Sequence, residues 1–340
     1  MSGNKKIIAV IIPYFQRETG LLRNCVQSVL ETRDGVDARI LIVDDASPRP
    51  AQDEIGDLAT DPSLGITIIH QANAGPAAAR NRGLDHVPED TPFVAFLDSD
   101  DSWSAPFLPD AVSALAQGFD LFIGNTRRGG IVRSRFEWER DPRWNLYPEQ
   151  HRLMDRQRDI YQFEGDFFDF LVHRTNIISA TAMAYRFDRF PTLRFRTELF
   201  QGEDRLFKLA LGQHIGAVAF SPKVYADEGE GVNIFDKAGW GPEGSLRLVG
   251  NYITLSKIIL AEIALNPNQR VHIRKRLAGS RRSFAWSLFH LLRHRKPVDW
   301  QQVRATLRED PATAALFLPN ALRLARQRLL PRRRDANAQG

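Results

Sequence analysis

The chain has 340 residues, 43% of them hydrophobic, and a formal net charge of +5. That apolar content supplies one large core or two modest ones and excludes a wholly disordered chain. A single cysteine, Cys25, excludes an internal disulfide and suits a reducing compartment. Charge is unevenly spread: residues 270–340 carry 17 Lys/Arg against 4 Asp/Glu, whereas residues 1–269 carry 29 against 37.

Taken in order, the first hundred residues alternate apolar runs with amphipathic stretches. Runs at 7–12, 39–43, 66–70 and 93–97 predict strands, and stretches at 21–30, 52–59 and 77–86 predict helices. The first run follows Lys5-Lys6 and stops at Pro13 with no small-residue cleavage site after it, so a buried strand is expected there rather than an export signal. Cys25 shares helical spacing with Leu21, Leu22, Val26 and Val29, which predicts a buried, inert thiol. The alternation implies an α/β fold, a Rossmann-like, mostly parallel sheet flanked by helices.

A helix is predicted from 106 to about 117, and the apolar run 119–123 extends the sheet. Residues 127–165 mix many charges with Trp138, Trp144, Tyr147 and Tyr161, which predicts a surface excursion with some helix near a cleft. Glu203-Asp204 opens a helix through Leu206, Phe207, Leu209 and Leu211, its carboxylates at the positive end of the dipole. From 244 onward the chain reads as helical. Its apolar stretch 252–265 is interrupted by Lys257 and Glu262, short of the roughly 18 apolar residues of a membrane span.

Ligands of parallel sheets bind beyond the carboxyl ends of the strands. Three polar clusters fall there: Pro13-Tyr14-Phe15, Asp44-Asp45-Ala46-Ser47 and Asp98-Ser99-Asp100-Asp101. The Asp98, Asp100 and Asp101 carboxylates repel one another unless a cation lies between them, and all-oxygen ligation favours Mn2+ or Mg2+. The alternative is a solvated acidic turn capping a helix. Asp45 can accept hydrogen bonds from a base NH or from ribose hydroxyls. The loop from Asn73 to Gly83 adds a glycine hinge, small residues that let a ligand approach, and Arg80 and Arg82, which can pair with phosphate or stand as ordinary helix arginines. No G-x-G-x-x-G follows the first strand, no P-loop occurs, and the histidines form no H-E-x-x-H pattern; this disfavours a dinucleotide-dependent dehydrogenase, a P-loop phosphotransferase and catalytic zinc.

Five motifs in order carry a resemblance: I-I-P-Y-F at 11–15, V-D-D-A-S at 43–47, N-A-G-P-A-A-A-R-N-R-G at 73–83, F-L-D-S-D-D at 96–101 and G-E-D at 202–204. Together they resemble the family 2 inverting glycosyltransferases of GT-A fold over residues 7–235, and among these the bacterial exopolysaccharide enzymes of succinoglycan type. The resemblance implies transfer of a sugar, expected to be a hexose, from a UDP-sugar to a hydroxyl of a glycan or lipid-linked acceptor. It implies a base pocket lined by Pro13 and Tyr14, a uracil or ribose contact from Asp45, and Arg80 approaching the diphosphate. Asp98 and Asp100 become the D-x-D pair that holds Mn2+ or Mg2+, with Ser99 between them at the donor. Asp204 becomes the catalytic base and Glu203 a candidate for acceptor positioning. Many relatives carry a histidine shortly after the base; here the stretch reads Val224-Tyr225-Ala226-Asp227-Glu228, so either Asp227 substitutes as an oxygen ligand or that contact is absent.

On this resemblance, residues 1–102 form the nucleotide-sugar-binding half, 103–235 the acceptor-binding half with the base, and 236–340 a basic helical C-terminal region. Arg274-Lys275-Arg276, Arg281-Arg282, residues 293–296 and Arg332-Arg333-Arg334 interleave with Phe284, Trp286, Leu288, Phe289, Leu291 and Leu292. Two readings stay open for this stretch: a peripheral helix on an anionic membrane face, or a packed helical subdomain with solvated arginines. A cytoplasmic protein, at most peripheral on the inner face of the cell membrane, is expected, with no nucleic-acid partner. The reading from another class is a non-catalytic, nucleotide-sugar-binding scaffold of a polysaccharide-assembly complex.

Overall fold

The computed structural model describes residues 6–104, 106–128, 134–137, 142–199, 201–228, 244–317 and 319. The chain folds as two compact units, Met1–Glu198 with Glu203–Val232, and Leu199–Gly202 with Asn233–Gly340.

In the first unit the elements run β1 (Ile7–Tyr14), α1 (Leu21–Thr32), β2 (Asp37–Asp44), α2 (Ala51–Ala59), β3 (Ile66–His70), α3 (Pro76–Leu84), β4 (Phe93–Phe96), β5 (Ser102–Trp103), α4 (Phe107–Ala116), β6 (Leu121–Arg128), β7 (Arg152–Asp155), β8 (Ile160–Gln162), α5 (Phe167–Arg174), β9 (Met183–Arg186), α6 (Glu203–Gly212) and β10 (Val218–Glu228). Among the described residues, ten strands form one sheet in the order β3-β2-β1-β4-β9-β6-β10-β8-β7, with β5 paired to β10 off that path. Strands β1 to β4 are mutually parallel, β9 is antiparallel to both β4 and β6, and β6 and β10 run parallel. The ends of β1, β2, β4, β6 and β10 therefore reach the same edge of the sheet.

Burial explains the apolar run at 7–12: every residue of β1 is buried, as a central parallel strand covered on both faces requires. Ile8, Val10, Ile12 and Tyr14 join Leu22, Cys25, Val26, Val29, Ile55 and Phe107 in one apolar layer. The other face lies against α3, where Gly83 is needed: a Cβ there would stand 2.4 Å from Cγ2 of Ile11. The helices expected at 21–30, 52–59, 77–86 and 106–117 are all present.

Two features depart from the sequence reading. The polar stretch 127–165 contains a hairpin, β7–β8, whose β8 pairs with β10, whereas its composition predicts only an excursion with some helix. One of its charges, Arg158 at the hairpin tip, pairs with buried Asp110 at the start of α4, which Lys223 and the Tyr225 hydroxyl also contact. Strand β9 is the second departure, an antiparallel insertion between two parallel neighbours. Trp138 and the arginines at 332–334 lie outside the described residues.

The second unit contains α7 (Ser245–Glu262), α8 (Pro267–Arg293), α9 (Trp300–Glu309) and α10 (Pro311–Ala315). Asn266 opens α8 with a capping box shared with Gln269. Leu246, Ile253, Leu277, Phe284, Leu288, Leu291 and Val303 form its core. No helix of the described residues is long and apolar enough to cross a membrane.

Candidate active site

Four of the five motifs follow strands β1 to β4, the G-E-D motif opens α6, and each is held by the chain's own hydrogen bonds. After β1, the Gln16 amide N–H donates to the Ser47 hydroxyl at 2.9 Å, and Gln16 Nε2 donates to the Ser99 hydroxyl at 3.2 Å. Three strand ends are thereby tied through one glutamine. Pro13 is buried, and Tyr14 packs its ring in the apolar layer below the edge, where burial pushes its phenol up to about 12.

The two carboxylates after β2 have separate tasks. Asp44 accepts from the backbone N–H of Ser47 and of Ala51, each at 2.8 Å, which fixes the turn into α2. Asp45 accepts from the N–H groups of Ala74 and Gly75 at 2.8 Å and from Gln71 Nε2 at 2.7 Å, holding the loop that leads into α3. Gly75 has φ of +87° there, a conformation that other residues adopt with strain.

The acidic turn after β4 separates into an interior and an outer part. Asp101 is buried and accepts from the Thr181 hydroxyl. Asp98 keeps 37% of its side chain exposed, and Asp100 is half-buried. Burial and the neighbouring Asp98 charge push the Asp100 carboxyl up, and Glu228 adds to the effect. Cys25 lies beneath this turn with its thiol donating to the Asp98 carbonyl at 3.6 Å; complete burial, reinforced by the three aspartates, pushes the thiol well up, as expected of an inert cysteine.

Arg80 joins this turn to the G-E-D motif. From the buried side of α3 its guanidinium donates to Asp98 at 2.7 Å and to Glu203 at 3.0 Å, and lies over the Phe195 ring at 5.4 Å. Burial opposes its charge, but Asp98 and Glu203 outweigh that and raise its pKa further. Arg82, by contrast, is exposed.

The adjacent acids at the start of α6 are placed differently. Glu203 is buried and committed to Arg80; burial, then the Asp204 charge, push its carboxyl up. Asp204 keeps 38% of its side chain exposed and accepts from Lys208, one turn on, at 2.7 Å. Burial works against its charge, but Lys208 and Arg80 hold the carboxyl down to about 2. Lys208 is itself buried and donates also to the Ile178 carbonyl at 2.8 Å.

Sequence reasoning missed Arg80 as a buried tie, Lys208 as the partner of Asp204, and Glu228. Asp227 pairs through its backbone with Ser102, beside the acidic turn, while its side chain lies outside what is described. Glu228 next to it raises Asp100, accepts from Thr126 at 2.8 Å and pairs with Arg135. The signal for Glu228 was positional, since a strand parallel to β6 had to end at the same edge. Among the described residues, no three His, Cys, Asp or Glu groups converge around a metal position. The residues still fit a divalent cation bound in the manner of Mg2+, by one or two carboxylates plus substrate phosphates: Asp98 and Asp100 are acceptor-only groups in one turn, and Asp100 carries excess negative field.

The strands and turns that build this edge, from β1 to β9, fall within the span of a known family. Residues 9–188 match the model of the family described as glycosyl transferase family 2, more than half of the chain. The chain belongs to glycosyl transferase family 2. Among curated relatives of this glycosyltransferase, the "Succinoglycan biosynthesis protein ExoW" of Rhizobium meliloti is 28% identical over 310 residues, covering 89% of this chain and 94% of the relative. Solved structures of similar fold include S. aureus TarS 1–349 in complex with UDP, with a TM-score of 0.52, 19% identity and coverage of 86% of this chain and 76% of that one. The mannosyltransferase PcManGT of Pyrobaculum calidifontis, in complex with GDP-Man and Mn2+, has a TM-score of 0.53, 17% identity and coverage of 93% and 82%. The fold is GT-A.

Proposed function

We propose that this family 2 member is a metal-dependent, inverting enzyme that transfers a hexose from a UDP-sugar to a hydroxyl of a glycan or lipid-linked acceptor in bacterial polysaccharide assembly. The observation that carries the reading is the tie from Asp98 through Arg80 to Glu203, beside which Asp204 is the more exposed of two adjacent acids. Support also comes from the succinoglycan relative and from UDP and GDP-Man bound to proteins of the same fold.

In this mechanism Asp204 is the base. Lys208 keeps it ionised and fixes one carboxylate oxygen, and the exposed carboxylate takes the proton of the acceptor hydroxyl as that oxygen bonds to the anomeric carbon. The bond from that carbon to the nucleotide diphosphate breaks on the opposite face, so configuration inverts in one displacement. A carboxylate of low basicity suffices because the hydroxyl becomes acidic only as its oxygen bonds to carbon. When bound, Mn2+ or Mg2+ held by Asp98 and Asp100 supplies positive charge to the departing diphosphate. Arg80 holds Asp98 for that task and Glu203 holds Arg80. Asp45 fixes the loop 71–75 at the nucleotide, with Pro13, Tyr14 and Ser99 shaping the floor below it.

Calorimetric binding of UDP to the purified protein tests the reading, with Mn2+, with EDTA, and for Asp100→Ala. Binding that requires both the metal and Asp100 is expected. Metal-independent binding would remove the cation from the mechanism, and an absence of UDP binding under every condition would transfer the test to other nucleotides and then to the scaffold reading.

A further inference from the structure

The basic C-terminal region reads as one amphipathic stretch in sequence, but the structure divides it. Phe284, Leu288 and Leu291 of α8 are buried in the core of their own unit. Arg281 is committed to buried Asp310 through two hydrogen bonds of 2.7 Å. These groups serve packing within the unit.

The corner between α8 and α9 differs in that several large apolar side chains are exposed there beside cations. Phe289 and Leu292, one turn apart on α8, are 40% and 49% exposed, and Trp300, which opens α9, is 49% exposed. Between them, residues 292–297 form an unbroken exposed run containing Arg293, His294, Arg295 and Lys296. Arg304, one turn into α9, is also exposed and donates to the Trp300 carbonyl at 3.2 Å. Asp299 is the one acid in residues 289–300, and its carboxylate caps α9 by accepting from the Gln302 N–H at 2.9 Å.

We propose that this corner docks on an anionic lipid bilayer, with Phe289, Leu292 and Trp300 entering the headgroup boundary and Arg293, Arg295 and Lys296 facing lipid phosphates. The inference goes beyond the donor-site chemistry and stands whether or not that chemistry holds. Two features favour a bilayer over other occupants. A nucleic acid would use the cations but gain nothing from exposed Phe289 and Leu292. A protein partner needs roughly 20–30 residues on each side for a stable interface, whereas a bilayer is engaged by a protruding tip with a few apolar side chains ringed by cations. The indole of Trp300 suits that boundary, being apolar over most of its surface with one N–H donor.

Sedimentation of the full chain with vesicles tests this, comparing phosphatidylcholine alone with phosphatidylcholine mixed with phosphatidylglycerol. Binding is expected to the anionic vesicles only, and to weaken as salt is raised. Reversal of Arg293, Arg295 and Lys296 to Glu should lower vesicle affinity by at least ~100-fold, on about five-fold per cation. The variant Phe289→Ser/Leu292→Ser/Trp300→Ser should release the protein even at low salt. Both variants alter exposed groups and should keep the wild-type unfolding temperature and UDP binding. Failure of the wild type to sediment at low salt, or variants that sediment like it, would overturn the proposal. A dimer seen by light scattering and abolished by the apolar variant would overturn it in favour of a second copy at this corner.

Discussion

Arg80 and Glu203 stand 123 positions apart in the chain and meet at 3.0 Å, guanidinium to carboxylate, with both side chains nearly removed from solvent. The same guanidinium holds Asp98. The proposed metal-binding turn and the proposed base motif are thus registered to each other by one side chain.

Removing that side chain leaves a buried carboxylate without its partner. Arg80→Met is expected to destabilise the fold by about 3–5 kcal/mol, the usual cost of breaking one side of a buried pair. Arg80→Met/Glu203→Gln should recover part of the loss. Urea unfolding midpoints of the two single variants and the double variant give the coupling directly; additive losses would show that the pair contributes nothing as a unit.

Asp45 fixes the loop before α3 through two backbone N–H groups and Gln71. In Asp45→Asn one acceptor oxygen becomes an amino group that opposes those donors, with an expected loss of about 1–3 kcal/mol. UDP affinity should fall with it. Gln71→Ala, which removes only the side-chain bond, should cost about 0.5–1.5 kcal/mol. Titrating both variants with UDP separates loop anchoring from direct nucleotide contact.

Asp204→Asn keeps the shape of the side chain and removes the proposed base. Turnover is expected to fall by roughly 10² to 10⁴ while UDP binding stays near wild type. Near-normal turnover would assign the proton to another group.

Lys208 governs when Asp204 is ionised. The Asp204 carboxyl is depressed in the fold, so its contribution to stability is complete above the unfolded value of about 3.9 and is lost as pH falls through about 2. Lys208→Met removes the depressing charge, so the acid limb of kcat/KM should move to higher pH and acid unfolding should begin at higher pH. A pH profile with an unmoved acid limb would separate Asp204 from the rate.

The strand and helix order of the first hundred residues was legible because short apolar runs, which became β1 to β4, alternate with stretches of helical periodicity. Strand β9 was not legible, since Met183–Arg186 is four residues long and its place between β4 and β6 depends on distant partners. The hairpin β7–β8 was hidden by its charges, one of which, Arg158, pairs with Asp155 and with Asp110 far back in the chain. Asp98, Asp100 and Asp204 were readable as a set, and the structure keeps each of them more exposed than Asp101 or Glu203. Arg80 reads in sequence as facing phosphate because arginine beside small residues suggests it. In the structure it lies on the buried side of α3 with Ala77, Gly83 and Leu84.

The insertion of β9 has a consequence for the order of synthesis. Strand β4 pairs with β1 on one side and with β9 on the other, so the nascent chain completes β1 to β4 long before Met183–Arg186 exists. Until then β4 presents an open row of amides and carbonyls, a template for pairing with another chain. Truncation after residue 102 would make that transient edge permanent, and such a fragment is expected to aggregate rather than persist as a small domain.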